Sequence, residues 1–188
     1  MNSAAMTARR EAALEKWLLL FLLCAAGGWL WEVGLTFLTT GRWVNRGMLR
    51  GPWLPVYGLG GLAMAAALEP LRRRTGWLLL SAALIGGGVE YGTALLLEAR
   101  FHARWWDYTG WPGNLRGRVC LASLAGFALA GWLIVRCLRP AIERFAVRVP
   151  ESLRRFCCRS LCLLLALDWA FALLCPHTGT GISFPLGS

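Results

Sequence analysis

Two polar stretches interrupt an otherwise apolar chain: Gly41-Arg-Trp-Val-Asn-Arg-Gly-Met-Leu-Arg-Gly-Pro52 and Arg104-Trp-Trp-Asp-Tyr-Thr-Gly-Trp-Pro-Gly-Asn-Leu-Arg-Gly-Arg118. Their residue types suit polar recognition. Arg46, Arg116 and Arg118 carry planar forks that match carboxylate or phosphate in two-point geometry. Asn45 and Asn114 add amides, and Asp107 adds a carboxylate. Trp105, Trp106 and Tyr108 supply an aromatic wall, or an aromatic belt at a membrane interface. Two apolar runs beside these stretches each hold a carboxylate, Glu32 and Glu90. A charge inside a membrane span is expensive, so it marks function by default. Tyr57, Tyr91 and Glu98 lie close in sequence to these groups and complete the candidate substrate-binding set. Mutual pairing that only fixes the loops is the competing reading. Four acids on this side (Glu32, Glu90, Glu98 and Asp107) face seven arginines, a surplus that favours an anion. No residue is assigned as catalytic.

The elements that must position these groups are membrane helices. The chain has 188 residues, 57% of them hydrophobic, with 11 Trp. A span needs roughly 20 apolar residues to cross the hydrocarbon core. Five blocks approach that length, at 17–39, 52–68, 76–97, 119–138 and 156–175. The second is short, and the fifth contains Arg159 and Asp168. Irregular backbone cannot face lipid. The expectation is therefore an all-α polytopic bundle of about five transmembrane helices, with two motif-bearing outer loops whose Gly-Pro turns let them re-enter the bundle. Residues 1–16 form an interfacial inner segment and 17–140 a membrane core of four spans. Residues 141–155 form a basic amphipathic inner segment, and 156–188 the fifth span and a short outer tail. Pro70 and Pro140 are expected to end the second and fourth helices.

The net charge of +10 reads as topology rather than as a nucleic-acid surface. Thirteen Lys and Arg flank one side of the spans and seven the other. The positive-inside rule places the N-terminus in the cytoplasm and both motif loops outside. The start resembles a signal peptide, but no small-x-small cleavage site follows, and cleavage is not expected. Seven cysteines, an odd number without CxxC spacing, give no disulfide framework. His102 and His177 are isolated, so no metal is expected. No phosphate loop is present, and no cofactor is expected.

Small residues suggest which helix faces meet. Gly88 and Gly92 have GxxxG spacing, and Ala122, Gly126 and Ala130 repeat a small-x3-small pattern. Gly28 and Glu32 share a face at i, i+4. Polar groups on such faces belong inside, so the first and third spans are expected to present Glu32 and Glu90 to each other.

A set of motifs in fixed order resembles a known family: Gly28-Trp-Leu-Trp-Glu-Val33, Asn45-Arg-Gly-Met-Leu-Arg-Gly-Pro52, Pro55-Val-Tyr-Gly58, Glu90-Tyr91, Glu98, Trp105-Trp-Asp-Tyr108 and Asn114-Leu-Arg-Gly-Arg118. They are similar to the CmpB-type family of small bacterial membrane proteins, described as "Putative ABC-transporter type IV". The resemblance covers about residues 17–140. It implies a permease-like protein of the bacterial inner membrane.

Three functions fit these residues. One is a subunit that binds or transports a small anionic or zwitterionic solute, with a separate ATPase docked on the basic inner segment and a homo-oligomer or hetero-complex in the bilayer. Another is an intramembrane enzyme on a lipid or polyprenyl phosphate, with Arg46, Arg116 and Arg118 clamping the phosphate and Glu90 or Asp107 as base. Against it, no nucleophile elbow is present. The third is an assembly factor whose loops bind a partner protein.

Overall fold

The computed structural model describes residues 3–178 and 182–185. Its architecture is a helical bundle. In chain order it contains α1 (Ser3–Thr40), α2 (Pro55–Ala67), a 3-10 turn (Glu69–Leu71), α3 (Thr75–Phe101), a two-residue strand β1 (Ala103–Arg104), α4 (Leu121–Leu133), a π-turn (Ile134–Leu138), α5 (Arg139–Arg148), α6 (Glu151–Leu174) and a two-residue strand β2 (Phe184–Pro185). Four helices are long and apolar enough to cross a membrane: Arg10–Thr40, Thr75–Phe101, Leu121–Arg148 and Glu151–Leu174. The short apolar α2 is the fifth element of the bundle.

The polar start of the chain is continuous with the first span. Residues 3–16 hold Ala, Glu, Arg and Lys, all good helix formers, and no Pro or Gly to break the helix. At 1.5 Å per residue, the 38 residues of α1 extend about 57 Å, well beyond a bilayer core. The extra turns are used at the N-terminal end. Glu15 there is 8% exposed and forms an ion pair with Arg154 at the start of α6. Arg155 reaches Glu11 at 3.7 Å and Glu15 at 3.8 Å.

Pro140 does not end the fourth helix. The chain runs as one helical rod from Leu121 to Arg148. The π-turn explains how. The Arg139 N–H reaches back five residues to the Ile134 carbonyl, which widens the helix just before the proline. A widened turn makes room for a ring that would otherwise clash with the preceding turn. The break comes ten residues later at Val149-Pro150, where Val149 is extended. The rod's last section, α5, buries Ile142 and Ala146 and leaves Arg144 and Arg148 exposed.

The core sits where α1, α2, α3 and α4 meet, around Leu20, Met64, Leu68, Leu78, Ala82, Phe127 and Val135. Close approach depends on glycines opposite large side chains. A Cβ on Gly28 would lie 2.2 Å from the Tyr57 ring, and one on Gly86 would lie 2.3 Å from the Phe127 ring. The expected Gly88/Gly92 seam is not used: both have open space around them, and Gly126 does too. Gly86 and Gly87 make the α3–α4 contact instead, against Phe127 and Leu124.

The loop 41–54 re-enters the bundle. Its last residue, Leu54, donates its N–H to the Ala25 carbonyl of α1 at 3.0 Å. Ala25 lies 15 residues before the end of α1, so the loop descends about 22 Å along that helix. Leu49 is fully buried, and Leu54 is 7% exposed. Such a descent is tolerated because protein surrounds the loop.

Candidate functional site

Both motif loops, the C-terminal segment and the C-terminal halves of α1 and α3 converge at one end of the bundle. Beneath them lies a cavity of about 50 Å³. It is lined by Glu32 of α1, Tyr57 of α2, Glu90 of α3, Phe127 of α4, Arg46, Gly47, Leu54 and Val56 around the first loop, and Trp105, Trp106 and Tyr108 of the second. The volume has room for a few waters and is far below that of a drug-sized pocket.

Each carboxylate in the cavity is held by a tyrosine. The Tyr57 hydroxyl donates to Glu32 Oε1 at 2.7 Å, and the Tyr108 hydroxyl donates to Glu90 Oε1 at 2.9 Å. Gly28 lets Tyr57 reach across, since the ring occupies the space of the missing Cβ. Arg46 Nε lies 3.9 Å from Glu32 Oε2, and its guanidinium donates to the Trp105 carbonyl at 3.0 Å. Arg46 thus ties the first loop to both α1 and the second loop. Glu90 is only 6% exposed, and its Oε2 has no hydrogen-bond partner among the described residues. The Ser123 hydroxyl beside it donates to the Cys120 carbonyl at 3.0 Å. Burial, reinforced by the charges of Glu90 and Glu32, pushes the Tyr108 phenol far above its ordinary value, so it stays a donor.

A second network braces the cavity from the α3 side. Glu98, 9% exposed, forms an ion pair with Arg104 Nε at 2.8 Å and is forked by Arg118. The hydrogen bond to Glu98 is the main reason the Arg118 guanidinium is held above its ordinary value. Arg118 also lies over the Tyr91 ring, 5.5 Å from its centroid. Arg104 reaches Asp107 at 3.4 Å. The Thr109 hydroxyl, its backbone N–H and Arg104 together hold the Asp107 carboxyl below its ordinary value. Gly117 closes this turn at φ +70°, where a Cβ would strike Asp107 and Thr109. Asn114 stays in the turn, bonding Gly117 N–H at 3.1 Å and the Trp111 carbonyl at 3.0 Å.

The candidate residues therefore divide into groups. Glu32, Arg46, Tyr57, Glu90, Trp105, Trp106 and Tyr108 share the cavity. Glu98, Asp107, Tyr91 and Arg118 form the network beside it. Asn45 staples the first loop, accepting from Trp29 and donating to the Arg50 carbonyl at 2.7 Å. Asn114 and Arg116 do not line the cavity, and Arg116 is exposed at φ +54°. The positive surplus is not in the cavity either. Two carboxylates there face one guanidinium, while Arg42, Arg50, Arg100 and Arg116 are exposed.

Sequence reasoning overlooked the cover. Asp168 of α6 accepts the Arg50 N–H at 3.1 Å, the Gly51 N–H at 2.8 Å and the Trp53 indole at 2.7 Å. The signal was available: a carboxylate inside an apolar run is a functional hypothesis by default. His177 donates its N–H to the Met48 carbonyl at 3.0 Å, and its own carbonyl accepts the Trp105 indole at 3.2 Å. Further on, Ala103 pairs with Pro185 and Arg104 with Phe184, antiparallel. The C-terminal segment thus bridges the two loops. Among the described residues, no three His, Cys, Asp or Glu are grouped to hold a metal ion.

Residues 19–173 match the protein family described as "Putative ABC-transporter type IV", and the chain belongs to it. The match runs through α6, well past the 17–140 region that carries the motifs. It establishes a multi-pass membrane protein of a transporter family. No curated protein and no solved structure matched the chain.

Proposed function

We propose that this family member is a permease-like subunit of the bacterial inner membrane that binds a small anionic or zwitterionic solute in the cavity between Glu32, Arg46 and Glu90. The observation that carries the reading is convergence. Charged groups from two helices and one loop meet in a space that the second loop also lines, and water-filled space inside a bundle is where intramembrane charges occur in transporters. Arg46 is the anchor for an anionic group, since its guanidinium lines the cavity. The loop 41–54 is the discontinuous element, re-entering at the depth where α2 begins. Broken helices and unwound backbone at that depth form the solute sites of many transporters.

The described cavity is smaller than a metabolite, so solute entry requires the cover to lift. The two loops and the segment 175–178 form the outer gate, and Asp168 and His177 are its latches. A separate ATPase would dock on the basic inner surface, where Arg144 and Arg148 of α5 are exposed.

The test is mass spectrometry of small molecules and lipids that co-purify with the wild type, with Glu90→Gln and with Arg46→Gln. Arg116→Ala serves as a control outside the cavity. A water-soluble solute present in the wild type and control but lost in both cavity variants supports the reading. A phospholipid or polyprenyl phosphate lost in the same variants would replace it with lipid headgroup chemistry.

A further inference from the structure

The charge and hydrogen-bond balance of the cavity narrows the solute class. This inference rests on the reading of the cavity as the solute site. Two carboxylates and one guanidinium leave the cavity one negative charge in excess when all are ionised. Arg46 is engaged at Glu32 and at the Trp105 carbonyl, and among the described residues no cation forms an ion pair with Glu90. Its Oε1 is satisfied by Tyr108, but among the described residues its buried Oε2 has no hydrogen-bond partner, the Ser123 hydroxyl beside it being turned to the Cys120 carbonyl. A buried acceptor left unmade costs about 1–3 kcal/mol, and more when charged. The cavity that Glu90 lines is also lined by Tyr57, Trp105, Trp106, Tyr108 and Phe127, and aromatic rings attract cations.

We propose that the cavity binds the primary ammonium group of an amine-bearing solute, with Glu90 Oε2 accepting one of its N–H bonds and the aromatic rings surrounding its charge. The missing partner is a donor as well as a charge. A quaternary ammonium would bring charge without N–H and leave Oε2 unsatisfied, so an N–H-bearing cation is selected. The cavity holds only a few waters' volume, which matches an ammonium headgroup. Within the solute classes proposed above, this selects a zwitterion and excludes a simple anion. Its ammonium lies at Glu90 and its anionic group points toward Arg46.

The test uses the full chain in lipid nanodiscs, with calorimetric titration of methylammonium chloride, tetramethylammonium chloride and sodium acetate. Methylammonium is expected to bind the wild type, to bind Glu90→Gln at least about tenfold more weakly, and to recover much of its affinity in Glu90→Asp. Arg116→Ala, which removes a charge outside the cavity, is expected to retain binding. Tetramethylammonium binding as tightly as methylammonium would overturn the N–H requirement. Acetate binding that depends on Arg46, with no methylammonium binding, would overturn the ammonium assignment and leave the solute site standing. Binding of none of the three would remove both.

Discussion

Asp168→Ala should release the re-entrant loop. Asp168 accepts three donors from residues 50–53, two of them half-buried and one exposed. A hydrogen bond to a charged acceptor contributes about 1.5–3 kcal/mol, and the exposed one recovers its partner from water. Counting the two half-buried bonds near the low end gives roughly 3 kcal/mol, or about a hundredfold rise in the local opening constant. The readout is hydrogen exchange of the Arg50 and Gly51 amides, in nanodiscs, by mass spectrometry. Asp168→Asn keeps one acceptor oxygen without the charge and should fall between, at roughly tenfold. The effect should be local, because α6 meets the rest of the bundle mainly toward its two ends: the Asp168 contacts at one and the Arg154–Glu15 pair at the other. If both amides exchange at the wild-type rate in Asp168→Ala, the loop is held by something else and the latch reasoning fails.

Other substitutions separate packing from pairing. Gly28→Ala places a Cβ 2.2 Å from the Tyr57 ring and should cost about 1–3 kcal/mol while shifting Tyr57 from Glu32. Gly27→Ala, one residue away in open space, should be neutral or stabilising by up to about 1 kcal/mol, and thermal unfolding of the pair checks the contrast. Glu98→Gln leaves Arg104 and Arg118 half-buried without their carboxylate and should cost about 3 kcal/mol, seen as a clear fall in melting temperature. Asp107 titrates below its ordinary value in the fold, so its contribution is complete above the unfolded value of 3.8 and is lost as pH falls through the lower folded value. Fluorescence of Trp106 and Trp111, which flank the Asp107 turn, should therefore hold steady at neutral pH and change only in acid below about pH 4. A transition near pH 6 would assign the change to another group.

The spans were legible because apolar runs of membrane length have few alternatives. Their pairing was less so. Three consecutive glycines, Gly86, Gly87 and Gly88, project about 100° apart on a helix, and GxxxG spacing favoured Gly88 although the neighbours touch the other two. Pro140 reads as a stop, and only the backbone shows a π-turn absorbing it. Glu32 and Glu90 were identifiable from their cost in an apolar run. Their individual partners were not: Tyr57 reaches Glu32 after a loop that folds about 22 Å back along α1, and Tyr108 reaches Glu90 from the second loop, neither of which a local pattern encodes. The arginine surplus misled because composition counts charges on a side and not in a space. Arg104 and Arg118 are consumed by Glu98, which leaves the cavity acidic. Asp168 carried a signal as a carboxylate in an apolar run, but its partners and those of His177 were not legible because they are tertiary: each meets a segment more than 100 residues away.

The most direct test of the central claim is a crystal structure grown from a lipidic phase with the co-purifying solute retained. The account predicts density in the cavity that bridges Arg46 and Glu90, with Glu90 Oε2 within hydrogen-bond distance of a ligand nitrogen. A cavity holding only water, with solute bound elsewhere on the protein, would contradict it.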